Sequence, residues 1–209
     1  MRANFLAGVR SRTPMIKRGV KIRRRVLCDD LPDPSQAALD GRSALEPSAA
    51  SIVTMTNRTY LDTVSGRIAM LPQCTSCHDR INPTGYGFEN FDSLGRMRTA
   101  EKVFDLVDTN LLLNSYTVTT NAQVPMPNNE VLSIDDGYDL VTNIANGTKG
   151  PACFAKWTYR YFNQRSEAAE DSCQLNDIYA QLTKPSASIL DAFVKSLANS
   201  VSTQRRKGL

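Results

Sequence analysis

The chain has 209 residues, 41% hydrophobic and 22% charged, with a formal net charge of +4. That balance describes a globular protein with one core of ordinary size. No stretch approaches the roughly 20 consecutive apolar residues of a membrane-spanning helix.

Residues 1–25 hold nine Lys/Arg and no Asp/Glu, and subtracting nine from +4 leaves −5 for the rest. The sequence therefore reads as a basic arm joined to a mildly acidic body. The apolar part of MRANFLAGVRSR is too short and too interrupted for a signal-peptide core. No aromatic residue is interleaved with KRGVKIRRR, so the arm is expected to lie on the body or on a neighbouring chain rather than on nucleic acid. VKIRRRVLC fits a short strand or an irregular arm. Three prolines and many small residues make 31–50 an extended linker, so 1–50 is predicted to stand apart from a domain over 51–209.

TNRTYLDTVSG predicts a short helix, with Thr56 as N-cap and Gly66 as C-cap. CTSCH follows after a turn at Pro72, and NPTGYG is expected to break the chain before FENFDSLGRMR. Residues 99–131 predict loops with one or two short strands. SIDDGYDLVTNIANG reads as a helix capped by Ser133 and closed at Gly147. PACFAKWTYRYFNQ starts a second helix with Pro151 in its first turn and Phe154, Trp157, Tyr161 and Phe162 on or near one face. A third helix lies in KPSASILDAFVKSLANS, with Ile189, Leu190, Phe193, Val194 and Leu197 as its stripe.

The chemistry resides in Cys74, Cys77 and His78. C-x-x-C-H is the spacing of c-type haem attachment. Two thiols three residues apart lie on one side of a helical turn, where they can form thioethers with the two haem vinyl groups. His78 follows directly and can reach the iron. A zinc site would need four N or S ligands, and no second Cys/His pair is present nearby. A thioredoxin-like redox pair would need a βαβ context that the pattern lacks.

His78 is the only histidine, so the opposite axial position belongs to Met, another weak donor, water or nothing. Met126, between two prolines in VPMPNN, is one candidate; Met97 and Met70 are others, and each can equally be a packed methionine. His/Met ligation favours electron transfer, and with no distal His a peroxidase-like site is disfavoured. Arg96 and Arg98, with Arg80 as a third, are candidates to pair the haem propionates. Tyr86, Phe88 and Phe91 can wall the haem edge or belong to the core. A disulfide between Cys153 and Cys173 is geometrically plausible, leaving Cys28 free or paired with another chain.

Taken together, CTSCHDRINPTGYGFENFDSLGRMR resembles the haem-binding segment of the planctomycete-type cytochrome c family. The residues that carry the likeness are Cys74, Cys77, His78, Asn82, Pro83, Gly85, Glu89, Phe91, Asp92, Gly95, Arg96 and Arg98. KRGVKIRRRVLCDDLPDP and CFAKWTYRYFNQRSEAAEDSC are also similar to the family, the latter to a helix that opens and closes on cysteines, in keeping with Cys153–Cys173. Residues 99–131 match it poorly, so Met126 draws no support from the likeness. The resemblance implies one haem c, a periplasmic or extracellular setting, and an export signal supplied by an upstream part of a longer protein.

The expected fold is mainly α: a cytochrome c-like haem domain with additional C-terminal helices and an extended basic N-terminal arm. The expected function is electron transfer to a redox partner protein or an upstream domain, with residues 1–50 as a contact to a larger complex. The alternatives are a haem-bearing structural subunit and an electron-delivering domain of a larger oxidoreductase.

Overall fold

A computed structural model describes residues 13–40, 44–45, 47–68, 72–105, 110–186 and 188–198. The chain forms two compact units. Of the described residues, those up to Arg24 and those of Asp29–Val141 make one, and Arg25–Cys28 with those from Thr142 onward make the other. The division expected at residue 50 thus does not coincide with the units. The described elements are mainly helical, with two small antiparallel sheets.

The first described element of the first unit is α1 (Met15–Arg25), where an extended arm was expected. Its buried residues are Met15, Arg18, Gly19, Ile22 and Arg23, a helical spacing whose inward face carries two arginines and a glycine. An apolar stripe is therefore missing from the sequence although a buried face exists. Arg18 has a fully buried guanidinium that donates to Phe88 O (2.7 Å), Phe91 O (2.9 Å), Asp92 O (3.1 Å) and Glu89 Oε1 (3.1 Å). Burial lowers its pKa to about 10, against the opposing pull of Glu89. Glu89 also accepts from Thr13 Oγ1 at 2.6 and 2.7 Å and from Arg98 Nη2 at 2.8 Å. Burial pushes the Glu89 carboxyl up, while the Thr13 hydroxyl and the two guanidiniums pull it back. The basic segment, in its described part, is thus built into the unit it was expected to lie upon.

Short helices α2 (Gln36–Asp40) and α3 (Ala49–Ile52) lead to α4 (Asn57–Ile68). Thr56 caps α4 as expected, its Oγ1 accepting from Thr59 N at 3.0 Å. Gly66 lies inside that helix instead of ending it. Next comes α5 (Pro72–Tyr86), with Pro72 at its first position, where a missing N–H costs nothing. NPTGYG does not break the chain: α5 continues through Pro83 to Tyr86. Gly85 serves close approach instead of a turn. A Cβ there would sit 2.3 Å from Met15 O, and one on Gly19 would sit 2.0 Å from Ile81 O. The backbones of α1 and α5 therefore touch at two glycines.

The described residues between 100 and 134 form two antiparallel strand pairs. β1 (Ala100–Phe104) pairs with β2 (Leu112–Thr117), with Ala100 opposite Thr117. β3 (Ala122–Pro125) pairs with β4 (Val131–Ile134), with Ala122 opposite Ile134, and buries Ala122 and Val124 on one face. Ser133 belongs to β4, where its hydroxyl accepts from Gln123 Nε2 at 3.0 Å. The cap of α6 (Gly137–Asn146) is therefore not Ser133 but Asp136, whose Oδ1 accepts from Tyr138 N and Asp139 N.

The second unit packs α7 (Lys149–Asn163), α8 (Ser172–Leu182) and α9 (Ile189–Ala198) around Ala155, Tyr159, Ile178 and Ala192. Phe193 meets Phe154 and Phe162 with ring centroids 6.3 and 5.5 Å apart. Glu167 takes two hydrogen bonds from Arg160, and Asp171 takes two from Arg165. The disulfide joins Cys28 to Cys153, not Cys153 to Cys173. Helix periodicity explains the difference. Ala155 and Tyr159 turn toward the core, while Cys153 and Trp157 share another face of α7. That face meets the Arg25–Cys28 segment, where Arg25 O accepts from Trp157 Nε1 at 3.0 Å. Cys173, at the start of α8, is an exposed free thiol.

Candidate haem-attachment site

Cys74, Cys77 and His78 all lie on α5, at positions i, i+3 and i+4 of one face. All three are half-buried, and both cysteines are free thiols although they form a C-x-x-C pair. The two sulfurs and the imidazole are thus presented together from one rigid turn. Among the described residues, no group of three or more His, Cys, Asp or Glu side chains is placed to hold a metal ion. The donor set suits a group held by two thioethers and one imidazole, and does not suit a four-ligand zinc site.

One turn further on, Asn82 Oδ1 lies 3.2 Å from His78 Nδ1. The Asn82 amide is buried and donates through Nδ2 to Ser65 Oγ of α4 at 2.6 Å. Beyond it, the Tyr86 hydroxyl donates to Asp62 Oδ1 at 2.5 Å, and the Arg58 guanidinium lies 4.5 Å from the Tyr86 ring centroid. Burial, reinforced by the Asp62 carboxylate, pushes the Tyr86 phenol above its ordinary range. These polar groups tie α5 to α4 along the side that carries His78.

Another side of α5 is held by Arg23, whose guanidinium donates to Thr84 Oγ1 (2.9 Å), to Arg80 O (3.2 Å) and to Pro125 O. Burial lowers the pKa of Arg23, against the pull of Asp29. Because β3 packs against α5, Met126 follows directly from a carbonyl anchored to the motif helix. Its own N–H donates to Glu130 O at 2.7 Å, which closes the Pro-flanked loop. Met97 is 75% exposed, and Met70 lies outside the described residues.

The two arginines expected at the propionates are occupied elsewhere. Arg98 donates through Nε to Glu89 O (2.9 Å) and through Nη2 to its carboxylate, as part of the buried cluster with Arg18 and Thr13. The exposed Arg96 pairs with Asp92 at 2.7 Å, in a turn where Asp92 Oδ1 also accepts from Leu94 N and Arg96 N. The family-like residues Glu89, Asp92, Gly95, Arg96 and Arg98 thus build the segment after α5. Gly95, at φ 81°, supplies its left-handed residue.

Residues 2–101 match the family model described as PSCyt3, a protein of unknown function (DUF1588). No curated protein and no solved structure matches the chain. The PSCyt3 span contains Cys74, Cys77, His78 and Asn82, and also the Arg18–Glu89–Arg98 cluster that seats α1. It stops in β1, so the β3–β4 hairpin with Met126 and the part of the second unit from Thr142 onward lie beyond it. Among the described residues, no helix is long and apolar enough to cross a membrane.

Sequence reasoning missed Arg18, Arg23, Ser65 and the link from Asn82 to His78. For Asn82 a signal was available, since four residues from His78 on a helix is the same face. For Arg18 and Arg23 the basic run masked the helical spacing.

Proposed function

We propose that the chain carries one haem c, attached through Cys74 and Cys77 with His78 as an iron ligand, and that it transfers electrons. The observation that carries this reading is the placement of two free thiols and the sole histidine on one face of α5. When bound, the haem supplies a one-electron iron couple.

The chain's own residues supply the seat. Helix α5 is locked to α1 by glycine contacts and to α4 by Asn82 and Tyr86, so the three attachment atoms are held on a supported element. Met126, on the loop that Arg23 anchors to α5, is the favoured opposite ligand, and a His/Met pair would raise the potential and close the iron to small molecules. The Cys28–Cys153 disulfide supports an oxidising setting outside the cytoplasm, which is also where haem c is attached. The partner in this reading is a redox protein or an upstream domain of a longer chain.

The test is export of the chain together with a haem-attachment system. The expected product retains haem after acid–acetone extraction and shows a low-spin, reversibly reducible spectrum. Cys74→Ala/Cys77→Ala is expected to lose the covalent haem. A wild-type chain that leaves the compartment without haem refutes the reading. A high-spin spectrum with rapid CO binding removes the Met126 assignment and favours an oxidoreductase site.

A further inference from the structure

An imidazole ligates through the ring nitrogen that keeps its lone pair, so the position of its one proton decides which nitrogen faces a metal. In this chain that choice is built into two helices. Asn82 Oδ1, an acceptor, lies 3.2 Å from His78 Nδ1. The amide has its Oδ1 toward Nδ1 and its Nδ2 toward Ser65 Oγ, to which it donates at 2.6 Å, and a carbonyl oxygen only accepts, so the contact with Nδ1 is a hydrogen bond when that nitrogen carries the proton. Asn82 is 4% exposed, so water does not compete well for the contact. The contact therefore favours the tautomer with the proton on Nδ1, which leaves the Nε2 lone pair as the donor.

We propose that Asn82, itself held by Ser65, is the positioning residue that decides which ring nitrogen of His78 faces the haem iron, and that it tunes the iron's reduction potential. The inference rests on the haem reading above. A partner that accepts from the other ring nitrogen of a ligating histidine fixes its orientation and raises its basicity. A more basic ligand favours the oxidised iron and lowers the potential.

The experiment compares three variants of the full haem-loaded chain by redox titration and by NMR of the reduced, diamagnetic form. Asn82→Asp keeps the acceptor and adds charge, so its potential is expected below that of the wild type. Asn82→Leu removes the acceptor, and its potential is expected to rise as the slowly exchanging Nδ1 proton signal is lost. Ser65→Ala frees the amide and is expected to shift the potential in the same direction as Asn82→Leu, by less. A residue that only ties α5 to α4 would change thermal stability without these signatures. Potentials and Nδ1 signals that match the wild type in Asn82→Asp and Ser65→Ala overturn the proposal, even if Asn82→Leu fails to fold.

Absence of covalent haem from the wild type refutes the functional reading instead. The ring 15N shifts of His78 in the haem-free full chain then decide the role of Asn82. A single Nδ1–H tautomer that becomes a mixture in Ser65→Ala supports positioning, and a mixture already present in the wild type overturns it.

Discussion

The cluster around Glu89 offers the sharpest energetic test of how α1 is held. Glu89→Gln removes one charge and keeps most of the side-chain volume. The Arg18 side chain is 0% exposed, that of Glu89 3% and that of Arg98 18%. The substitution therefore leaves a buried guanidinium without its counter-charge, a situation that costs about 3–5 kcal/mol. The amide oxygen still accepts one hydrogen bond, and Arg18 keeps its carbonyl contacts at Phe88, Phe91 and Asp92, so the lower end, about 3 kcal/mol, is expected. For a protein of this length that corresponds to a fall in Tm of roughly 6–12 °C. Arg96→Gln is the control. Its side chain is 74% exposed and pairs with Asp92, a contact expected to contribute about 0–1 kcal/mol. Urea unfolding followed by far-UV circular dichroism measures both variants on the same scale. A Glu89→Gln loss below about 1 kcal/mol, no larger than that of Arg96→Gln, would refute the reasoning that α1 is seated by a buried ion cluster.

Gly19→Ala places a Cβ 2.0 Å from Ile81 O and is expected to destabilise by about 1–3 kcal/mol or more, whereas Gly66→Ala meets nothing within 4 Å and is expected to gain about 0.5–1 kcal/mol; denaturant midpoints should move in opposite directions. Non-reducing peptide mapping should recover Cys28 joined to Cys153. Cys28→Ser should lose about 2–5 kcal/mol, given the sequence separation of 125 that the bond closes, with Cys173→Ser neutral; a recovered Cys153–Cys173 peptide would contradict the fold of the second unit. Hydrogen bonds from the Arg160 guanidinium hold the Glu167 carboxyl at about 2, below its ordinary value of 4.5. A depressed folded-state value means that this stability is present above about pH 4.5 and is lost as pH falls toward 2. Trp157 fluorescence, with the Arg160 guanidinium 5.2 Å from the ring centroid, should report an acid transition in that window, and Glu167→Gln should flatten it.

What could be read from the sequence follows from where the chemistry keeps its parts. Cys74, Cys77 and His78 stand within five residues, so their place together on one helix was legible. The cap at Thr56 and the proline in the first turn of α7 were legible for the same reason, because each acts on its own few neighbours. The misreadings share the opposite property. NPTGYG carries a proline and two glycines, which locally signal a break, but Gly85 answers to Met15, far away in the chain. KRGVKIRRR looks like a solvated arm because Arg18 and Arg23 hide a buried face, and partners that make that face affordable, Glu89, Thr84 and Pro125 among them, lie far along the chain. Cys153 could not be paired from spacing, since its partner depends on which face of α7 meets Arg25–Cys28. The same division runs through the proposed site. The motif residues and Asn82 are local to α5, while Ser65 and the Arg23-anchored loop that carries Met126 come from tertiary packing. In the proposed reading the motif would speak to attachment and the residues around it would govern the behaviour of the bound group, so variants of Asn82 and Met126 are the more informative probes of function.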